Sequence, residues 1–361
     1  AASPIPKGLP GPALVAFVLL SKYAYHLPLY RIQRIIYHEC GIWFTRSTLM
    51  GWVKAASGLL QRLHRLMLQA YRQSRTKFGD ETPLRVRLGE VKGRCHQGYM
   101  WVGVGCDERL AVFWYNSNRS SKAALALLKG SSKGDYLMTD DLASYNAPVR
   151  EYGLVQLLCM MHARRKFHDA YKAGYKAEFA RRALRKIGQV YRLERFAADK
   201  GFTVEQRGEL RLTRTARVLA ELKAMLEAPG FVLLPDRLIG KAINYSLKNW
   251  DKLTRFLESG DLPLDNGVTE RTLRALTIGR NNWLFAGSRK GAEWMAALYS
   301  IIATCKLNGI DPHEYLTEVL MGLSVRPPEA DVSDLTPLGW MAKKNSGELP
   351  PPSPLYPDQG R

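Results

Sequence analysis

The chain has 361 residues, enough for two or three folding units and a sizeable buried core. Its 46% hydrophobic and 24% charged residues are ordinary for a globular protein and exclude wholesale disorder. Lys and Arg number 53 against 33 Asp and Glu, a formal charge of +20. We therefore expect a polyanionic partner, with nucleic acid first and an anionic membrane surface second.

The N-terminal part and the cysteines give information on the cellular location of the protein. The apolar stretch 13–20 is far shorter than the ~20 residues of a membrane helix, so no membrane span is predicted. The chain opens without Met at a Pro-rich segment, which predicts a processed or truncated chain rather than a signal peptide. Its five cysteines are scattered and include no C-x-x-C pair, which favours a reducing cytoplasm.

Two helices are predicted in the N-terminal part, one on each side of Gly41. Either Thr45 or Ser47 can cap the second helix, whose apolar stripe continues to Ala70. This pattern fits a helix-turn-helix and equally fits two helices packed in a bundle.

Beyond Lys77 the period changes to that of strands. The segments "TPLRVRL", "YMWVGVGCD" and "LAVFWYN" predict a strand followed by a hairpin. "SSKAALALLKG" predicts a helix with a Ser cap, while "GDYLMTDD" and "GLVQLLCMMH" predict buried strands, the first ending in carboxylates. Together these segments indicate a mixed α/β core.

Between His162 and Lys200 there are 12 Lys or Arg against 4 Asp or Glu, in a pattern that predicts helix. Aromatic residues recur every fourth position and are predicted to contact the core: Phe167, Tyr171, Tyr175 and Phe179. A parallel row is basic: Arg164, His168, Lys172 and Lys176. This second row is either a phosphate-binding face or an ordinary solvated face.

The C-terminal part is also predicted to be helical. "RLIGKAINYSLKNWDKLTRFLESG" and "RKGAEWMAALYSIIATCKLNGI" have helical patterns, and Asp311 caps a further helix that starts with Pro312. The tail "GELPPPSPLYPDQGR" is Pro-rich and predicted to be disordered or an extended arm.

Three acidic residues stand where a metal site could be assembled: Asp80, Asp140 and Glu270. Two divalent cations about 3.5 to 4 Å apart need carboxylates that converge from separate elements. Adjacent strand residues face opposite ways, so only one residue of each pair, 80/81 and 140/141, can face such a site. Spacing alone leaves another interpretation open: a turn residue at 80, a cap at 140 and a helix-start acid at 270.

Cys159 and His162 have the spacing C-x-x-H, which is half of a zinc site. No second half is evident in the sequence. We therefore expect a structural role at the end of a buried strand, and no zinc.

Several long blocks of the sequence carry a resemblance to a known family. They include "PIPKGLPGPALVAFVLLSKYAYHLPLYRIQRI", "FGDETP", "LMTDDLASYN", "CMMHARRKFHDA", "LDNGVTERTLRALTIGRNNWLFAGS" and "IIATCKLNGIDPHEYLTEVL". Over residues 4–323 the chain resembles the insertion sequence 66 transposase family in the order and approximate spacing of these blocks.

The resemblance implies a ribonuclease H-like core with a DDE triad, whose members fall on Asp80, Asp140 and Glu270. It implies two-metal-ion cleavage and joining of DNA with Mg²⁺, for which Mn²⁺ can substitute. It also implies a helical insertion before the helix that bears the Glu. The residues expected to bind DNA are Arg164, Arg165, Lys166, Lys172, Lys176, Arg271, Arg274 and Arg280.

The resulting fold class is mixed α/β, with a ribonuclease H-like core, a helical insertion and mainly helical N-terminal and C-terminal parts. We expect a helical N-terminal region over 1–76 and the first part of the core over 77–163. A basic helical insertion follows over 164–260, and the core ends over 261–305. A helical region over 306–345 and the tail 346–361 complete the chain.

The chain departs from the family at two places. Asp141 stands where the family commonly has a small residue; the positions of Tyr145 and Asn146 assign the triad member to Asp140. An N-terminal coiled segment and a cysteine-rich zinc motif, both usual in full-length relatives, are not found in this sequence.

The predicted partners are double-stranded DNA, as transposon terminal repeats and target DNA, and accessory proteins from the same element. We expect a homo-oligomer on DNA, no membrane, and a bacterial cytoplasmic location at the nucleoid. The alternatives are a non-enzymatic DNA-binding protein and a metal-dependent nuclease of the same fold.

Overall fold

A computed structural model describes residues 3–5, 8, 10–87, 94–228 and 237–346. Of the predicted tail, 346–361, all residues after 346 lie outside the described ones. The strands are β1 (Thr76–Arg87), β2 (Cys95–Gly105), β3 (Leu110–Asn116), β4 (Tyr136–Thr139) and β5 (Val155–Leu158). The first helices are α1 (Pro12–Tyr23), α2 (Leu29–Cys40), α3 (Arg46–Gln73), α4 (Ser121–Leu128) and α5 (Asn146–Tyr152).

Ten further α-helices follow β5 in the part of the chain that the structure describes. They are α6 (Met160–Lys172), α7 (Ala177–Asp199), α8 (Val204–Leu210), α9 (Ala216–Glu227), α10 (Leu238–Lys248), α11 (Trp250–Thr254), α12 (Gly267–Trp283), α13 (Arg289–Leu307), α14 (Pro312–Val325) and α15 (Pro337–Asn345). The described residues form two compact units, one within Ala1–Ser132 and Val268–Arg361 and the other within Lys133–Gly267. The predicted mixed α/β fold is confirmed.

The first unit contains an antiparallel sheet in which β2 pairs with both β1 and β3. The predicted strand and hairpin are thus confirmed. The first strand starts at Thr76, earlier than the segment predicted from its β-branched residues, and it places Asp80 opposite Val102. Asp80 therefore lies within a strand and does not begin a turn.

Helix α13 covers the outer edge of β3. Ser300 Oγ accepts a hydrogen bond from Phe113 N at 2.7 Å, and Thr304 Oγ1 bonds to both backbone groups of Ala111 at 3.0 Å. Both hydroxyl residues are fully buried. Since an edge strand otherwise presents unpaired backbone groups, these two side chains supply partners for the backbone of β3 at Ala111 and Phe113.

The two predicted N-terminal helices are confirmed as α2 and α3. Gly41 ends α2 in the left-handed conformation, with φ of 68°, and its N–H bonds to Tyr37 O. The cap of α3 is Thr45, whose side chain accepts from Thr48 N at 3.1 Å. Helix α3 has 28 residues and packs on α1, α13 and β3.

In the second unit β4 and β5 form a parallel pair. The second strand ends at Leu158 and α6 begins at Met160, so the prediction of a strand reaching His162 was wrong at its end. Cys159 is the N-cap of α6, and His162 lies in its first turn.

The predicted helix between His162 and Lys200 is broken. Gly174 and Lys176 have φ of 78° and 54°, and they separate α6 from α7. Of the aromatic row, Phe167 is buried, but Tyr171 and Tyr175 are 43% and 42% exposed. Phe179 is buried as well, so the prediction of core contact is confirmed at Phe167 and Phe179 and wrong at the two tyrosines. Tyr171 lies in the last turn of α6, and Tyr175 lies in the turn between α6 and α7.

A buried ion pair joins helices of the second unit. Arg211, in a π-helical turn between α8 and α9, makes two hydrogen bonds to the carboxylate of Glu194, at 2.8 and 2.7 Å. Its third nitrogen donates to Phe256 O at 2.8 Å and also to Ser259 O. The guanidinium is only 1% exposed, so the fold relies on these partners to satisfy it.

Within the described ranges, no helix has the length and apolar character needed to cross a membrane.

Candidate active site

Asp80 and Glu81 are separated by the alternation of β1. The Glu81 carboxylate is 1% exposed and pairs with the Arg119 guanidinium at 2.6 Å. Asp80 is half-buried, and its Oδ1 accepts a hydrogen bond from Glu81 N at 2.8 Å. Since neighbouring strand residues face opposite ways, Arg119 marks the face that Asp80 does not occupy.

Glu270 lies in the first turn of α12, in the same unit as Asp80. The predicted helix start near Asn266 is confirmed, and Glu270 is half-buried. A carboxylate at this position is favoured by the positive end of the helix dipole.

Arg280 connects α12 to β1. Its Nη1 donates to Thr82 Oγ1 at 2.9 Å and to Pro83 O at 2.5 Å. Thr82 stands two residues from Asp80 and therefore shares its face of the strand. The helix that carries Glu270 is thus bonded to β1 on the face that carries Asp80.

The segment after α12 provides a second connection. Ala286 N donates to Arg85 O at 2.8 Å, and Arg87 N donates to Ala286 O at 2.9 Å. These two bonds form a parallel bridge between Val86 and Ala286. Backbone and side-chain bonds together therefore hold the C-terminal end of α12 against β1.

Gly279 permits close packing of α12 on its neighbours. A Cβ atom at this position would lie 2.9 Å from Tyr299 Oη and 2.9 Å from His26 Nδ1. Both distances are too short for a carbon contact, so any larger residue would require these side chains or α12 to shift. Burial raises the pKa of Tyr299 above its ordinary value and lowers that of His26, so both side chains stay neutral near pH 7.

Asp140 and Asp141 lie in the second unit, in the turn that follows β4. Asp140 Oδ1 accepts from Leu142 N at 3.1 Å, and Asp141 Oδ2 accepts from Asn249 Nδ2 at 3.0 Å. The strand ends at Thr139, so strand alternation does not itself separate the two carboxylates. The two carboxylates differ instead in their hydrogen-bond partners.

Cys159 bonds to the segment that leads into α12. Its Sγ accepts from Asn266 N at 3.3 Å, and Met160 N donates to Leu264 O at 3.2 Å. Burial raises the pKa of the Cys159 thiol to about 11, and nearby backbone N–H groups oppose that rise only in part. The thiol is therefore protonated near pH 7 and acts as a buried hydrogen-bond acceptor. The adjacent His162 is half-buried in the first turn of α6.

The residues predicted to bind DNA differ in exposure. Exposed members are Arg165, Lys166, Lys172, Lys176, Arg271 and Arg274. Arg164 and Arg280 are half-buried. The Lys166 ammonium also lies 4.5 Å from the ring centre of Tyr245, a cation–π contact.

Sequence reasoning missed the connection between Arg280 and Thr82 and the cavity beside α12. The cavity has a volume of about 250 Å³ and is lined in part by Tyr23, Phe113, Arg271, Tyr299 and Lys306. A long-range hydrogen bond leaves no local pattern. The one feature of the sequence that could have indicated this bond was the Thr82 hydroxyl, two residues after Asp80.

Comparison with known proteins identifies the family of the chain. Residues 7–294 match the family described as "Transposase IS66 family", and residues 300–338 match the "IS66 C-terminal element". The first match covers well over half of the 361 residues.

Three curated relatives come from Sinorhizobium fredii (strain NBRC 101917 / NGR234). The chain is 29% identical to "Uncharacterized protein y4qI" over 354 residues, 95% of this chain and 64% of that protein. It is 31% identical to "Uncharacterized protein y4jD", covering 93% of this chain and 67% of that protein. For "Uncharacterized protein y4hP" the identity is 28%, with 93% and 63% covered. The chain thus spans about two thirds of the length of these relatives.

Proposed function

Because the chain belongs to the Transposase IS66 family, we propose that it is a DNA transposase that cuts the ends of an insertion sequence and joins them to target DNA. The observation that carries this proposal is the bonding of α12 to β1 by Arg280 and the Val86–Ala286 bridge. It supports a common site for Asp80 and Glu270, two members of the proposed triad. The three antiparallel strands of the first unit and the parallel pair of the second are compatible with a ribonuclease H-like core.

We assign the metal ligands to Asp80, Asp140 and Glu270. Carboxylate oxygens are the donors that Mg²⁺ and Mn²⁺ prefer, so the donor set fits these ions. Arg119 holds Glu81, and Asn249 bonds to Asp141, which supports Asp80 and Asp140 as the members of each pair. Bound Mg²⁺ would supply positive charge that stabilises the phosphate oxygens as the P–O bonds rearrange.

The reaction has two displacements at phosphorus. In the first, the oxygen of water attacks, the bond from phosphorus to the 3′-oxygen breaks, and the element end is left with a 3′-hydroxyl. In the second, that hydroxyl attacks a phosphate of the target, and the target's own 3′-oxygen leaves. The chain's own task is to align the attacking and leaving oxygens, because positioning supplies much of the acceleration in phosphoryl transfer.

We further propose that basic side chains of α6, of the turn after it and of α12 bind the DNA backbone. Arg271 and Arg274 follow Glu270 on α12, where they would contact phosphates next to the reacting bond. Arg164, Arg165, Lys166, Lys172 and Lys176 would bind flanking DNA along α6 and the turn after it. Terminal repeats and target DNA are the proposed partners, joined by further copies of this chain and by accessory proteins from the same element.

Substitution of the carboxylates tests this function. On oligonucleotides that match the ends of the element, Glu270→Gln keeps the size of the side chain but removes its charge, so cleavage and joining should both collapse. DNA binding should persist or tighten slightly, because a negative charge near phosphate is removed. Asp140→Asn should behave alike, whereas Asp141→Asn should be milder.

Glu293→Gln is the matched control, because this exposed carboxylate lies on α13 of the same unit and outside the proposed site. Wild-type protein that binds without cutting would indicate a DNA-binding protein, and cutting without joining would indicate a nuclease. Efficient joining by Glu270→Gln in Mg²⁺ would contradict the assignment of the triad.

A further inference from the structure

The turn between α12 and α13 exposes two large apolar side chains, Leu284 and Phe285, which we call the apolar tip. Leu284 is 63% exposed and Phe285 is 40% exposed, and the amides Asn281 and Asn282 beside them are exposed as well. The chemistry proposed above uses neither apolar side chain. Adjacent apolar residues of this size, exposed among polar ones, are typical of a contact surface.

The backbone of the apolar tip is strained. Leu284 has a φ of 63°, in the left-handed region that bulky side chains rarely adopt. Phe285 N donates to Trp283 O at 2.7 Å and closes a three-residue turn around Leu284. Glycine would form this turn without strain, but it would present no side chain. Leucine at this position therefore serves a contact and not the turn.

The apolar tip is held on both sides. Before it, Leu284 N donates to Arg280 O at 2.9 Å, and the Arg280 side chain is bonded to Thr82 of β1. After it, Ala286 is buried and forms the parallel bridge to Val86. Both flanks of the turn are thus fixed to the same strand. The apolar side chains are presented before any partner binds, which lowers the entropy cost of binding.

The charge around the apolar tip identifies the partner. Between Arg271 and Lys290 there are five Lys or Arg residues and no Asp or Glu. The exposed cations next to the tip are Arg85, Arg87, Arg289 and Lys290. A second copy of this chain, with its formal charge of +20, would be repelled. Duplex DNA attracts the cations, and a kinked duplex accepts apolar side chains between its base pairs.

Two elements set the distance from the apolar tip to the proposed triad. Trp283 lies thirteen residues after Glu270 on α12, about 20 Å along the helix axis. Val86 lies six residues after Asp80 on β1, also about 20 Å along the strand. A duplex rises about 3.4 Å for each base pair, so this distance corresponds to about six base pairs.

We propose that Leu284 and Phe285 insert between neighbouring base pairs about six base pairs from the reacting phosphate and kink the duplex that carries it. The exposed cations next to the tip bind phosphates on both sides of the opened step. This inference rests on the proposed function, which supplies the duplex and the reacting phosphate. It adds positioning residues that shape the DNA without touching the reacting atoms.

Fluorescence of 2-aminopurine tests the insertion, because this base brightens when it leaves the base stack. Duplexes that match the ends of the element carry one 2-aminopurine at successive positions on both sides of the cut. They are bound by the full chain without divalent metal. With the wild type, fluorescence should rise at least about threefold at a position about five to seven base pairs from the cut. Leu284→Gly and Leu284→Asn should abolish this rise.

The joining rate tests whether the insertion matters for the reaction. On fully paired ends in Mg²⁺, Leu284→Gly should join at least about tenfold more slowly than the wild type. Two mismatched base pairs at the bright position should restore joining by Leu284→Gly to within about threefold of the wild type, because mismatched bases are easier to unstack. A general defect in folding would not respond to a mismatch in the DNA.

Both substitutions suit the backbone of the turn. Glycine and asparagine adopt the left-handed region more readily than leucine, so both variants should melt at or above the wild-type temperature. Val325→Ala is the matched control, because Val325 is 74% exposed at the end of α14 in the same unit. This variant should keep the fluorescence rise and the joining rate of the wild type.

The proposal is overturned if the wild type brightens no position or if Leu284→Gly brightens the same position as strongly. Joining of paired ends by Leu284→Gly at the wild-type rate would overturn it as well. A Leu284→Gly protein that differs only in sedimentation mass would assign the apolar tip to self-association instead. A wild type that brightens the expected position but never joins DNA would contradict the proposed function alone, because the fluorescence needs no catalysis.

Discussion

The Sγ atom of Cys159 accepts a hydrogen bond from the backbone nitrogen of Asn266 at 3.3 Å. Cys159 ends the connection from β5 to α6, and Asn266 is fully buried just before α12. The thiol therefore fixes the chain four residues before Glu270. In this position Cys159 is a positioning residue, whose effect on chemistry would pass through α12.

Replacing Cys159 by Val tests this role. The variant keeps an apolar side chain but removes the acceptor of the Asn266 N–H, so the free energy of unfolding should fall by about 1–3 kcal/mol. The joining rate should fall while DNA affinity stays unchanged. Cys305→Val, at a buried thiol in the last turn of α13, is the control and should affect joining less. Tightly held stoichiometric zinc in purified protein would contradict the structural role and the expected absence of zinc.

Substitution of Arg280 tests whether this residue positions α12 or binds DNA. Arg280→Met removes the bonds to Thr82 and Pro83, so joining should fall about 10- to 100-fold through misplacement of α12. The salt dependence of DNA binding should not change. Arg274→Met, at an exposed position on the same helix, should instead lower the salt slope by about 0.9. The reverse pattern would make Arg280 a DNA contact.

A second prediction about DNA binding concerns the basic residues of α6 and of the turn after it. Replacing Arg164, Lys172 and Lys176 together by Ala should weaken binding to all sequences and flatten the salt dependence by up to about 3 units, at about 0.9 per contact. The control removes three cations that pair with carboxylates in the same unit: Arg181, Arg217 and Lys223. If both triple variants show the same salt dependence of DNA binding, this face of α6 is exposed to solvent and does not contact phosphates.

The ion pair between Arg211 and Glu194 should be essential for the stability of the second unit. Glu194→Gln leaves the buried guanidinium without a compensating charge, so the free energy of unfolding should fall by about 3–5 kcal/mol. Urea unfolding measures this loss. Replacing both residues together, as Arg211→Met and Glu194→Leu, should recover part of it, because no charge then remains buried. If the double variant loses as much free energy of unfolding as Arg211→Met and Glu194→Leu lose in sum, the two residues are not coupled and the prediction is contradicted.

Asp334 should make stability depend on acid pH. Hydrogen bonds from Arg326 and Lys343 hold the pKa of its carboxyl well below the usual value. Because the folded pKa is depressed, the stabilisation is present above the ordinary pKa of about 3.9 and is lost as pH falls towards the folded value. Melting temperatures of the wild type should therefore fall through this acid range, and Asp334→Asn should fall less. Parallel curves for the two proteins would contradict the prediction.

Local patterns in the sequence determined much of the secondary structure. Short segments rich in β-branched and aromatic residues predicted β1 to β3. A Ser cap was predicted for α4, and Thr45 or Ser47 for α3; the caps are Ser120 and Thr45. These signals are reliable because each depends on residues within a few positions of one another. The family, too, could be recognised from sequence blocks alone, and residues 7–294 confirm it.

The tertiary structure decided which side chains meet across long distances in the chain. Glu81 is held by Arg119, and Arg280 reaches Thr82 across 198 positions, neither of which a periodic pattern can encode. The break at Gly174 placed Tyr175 between two helices, where it is exposed, because residues share a helix face only while the helix continues. Local periodicity specifies which face of an element is apolar. The path of the chain specifies which polar groups are brought within hydrogen-bond distance.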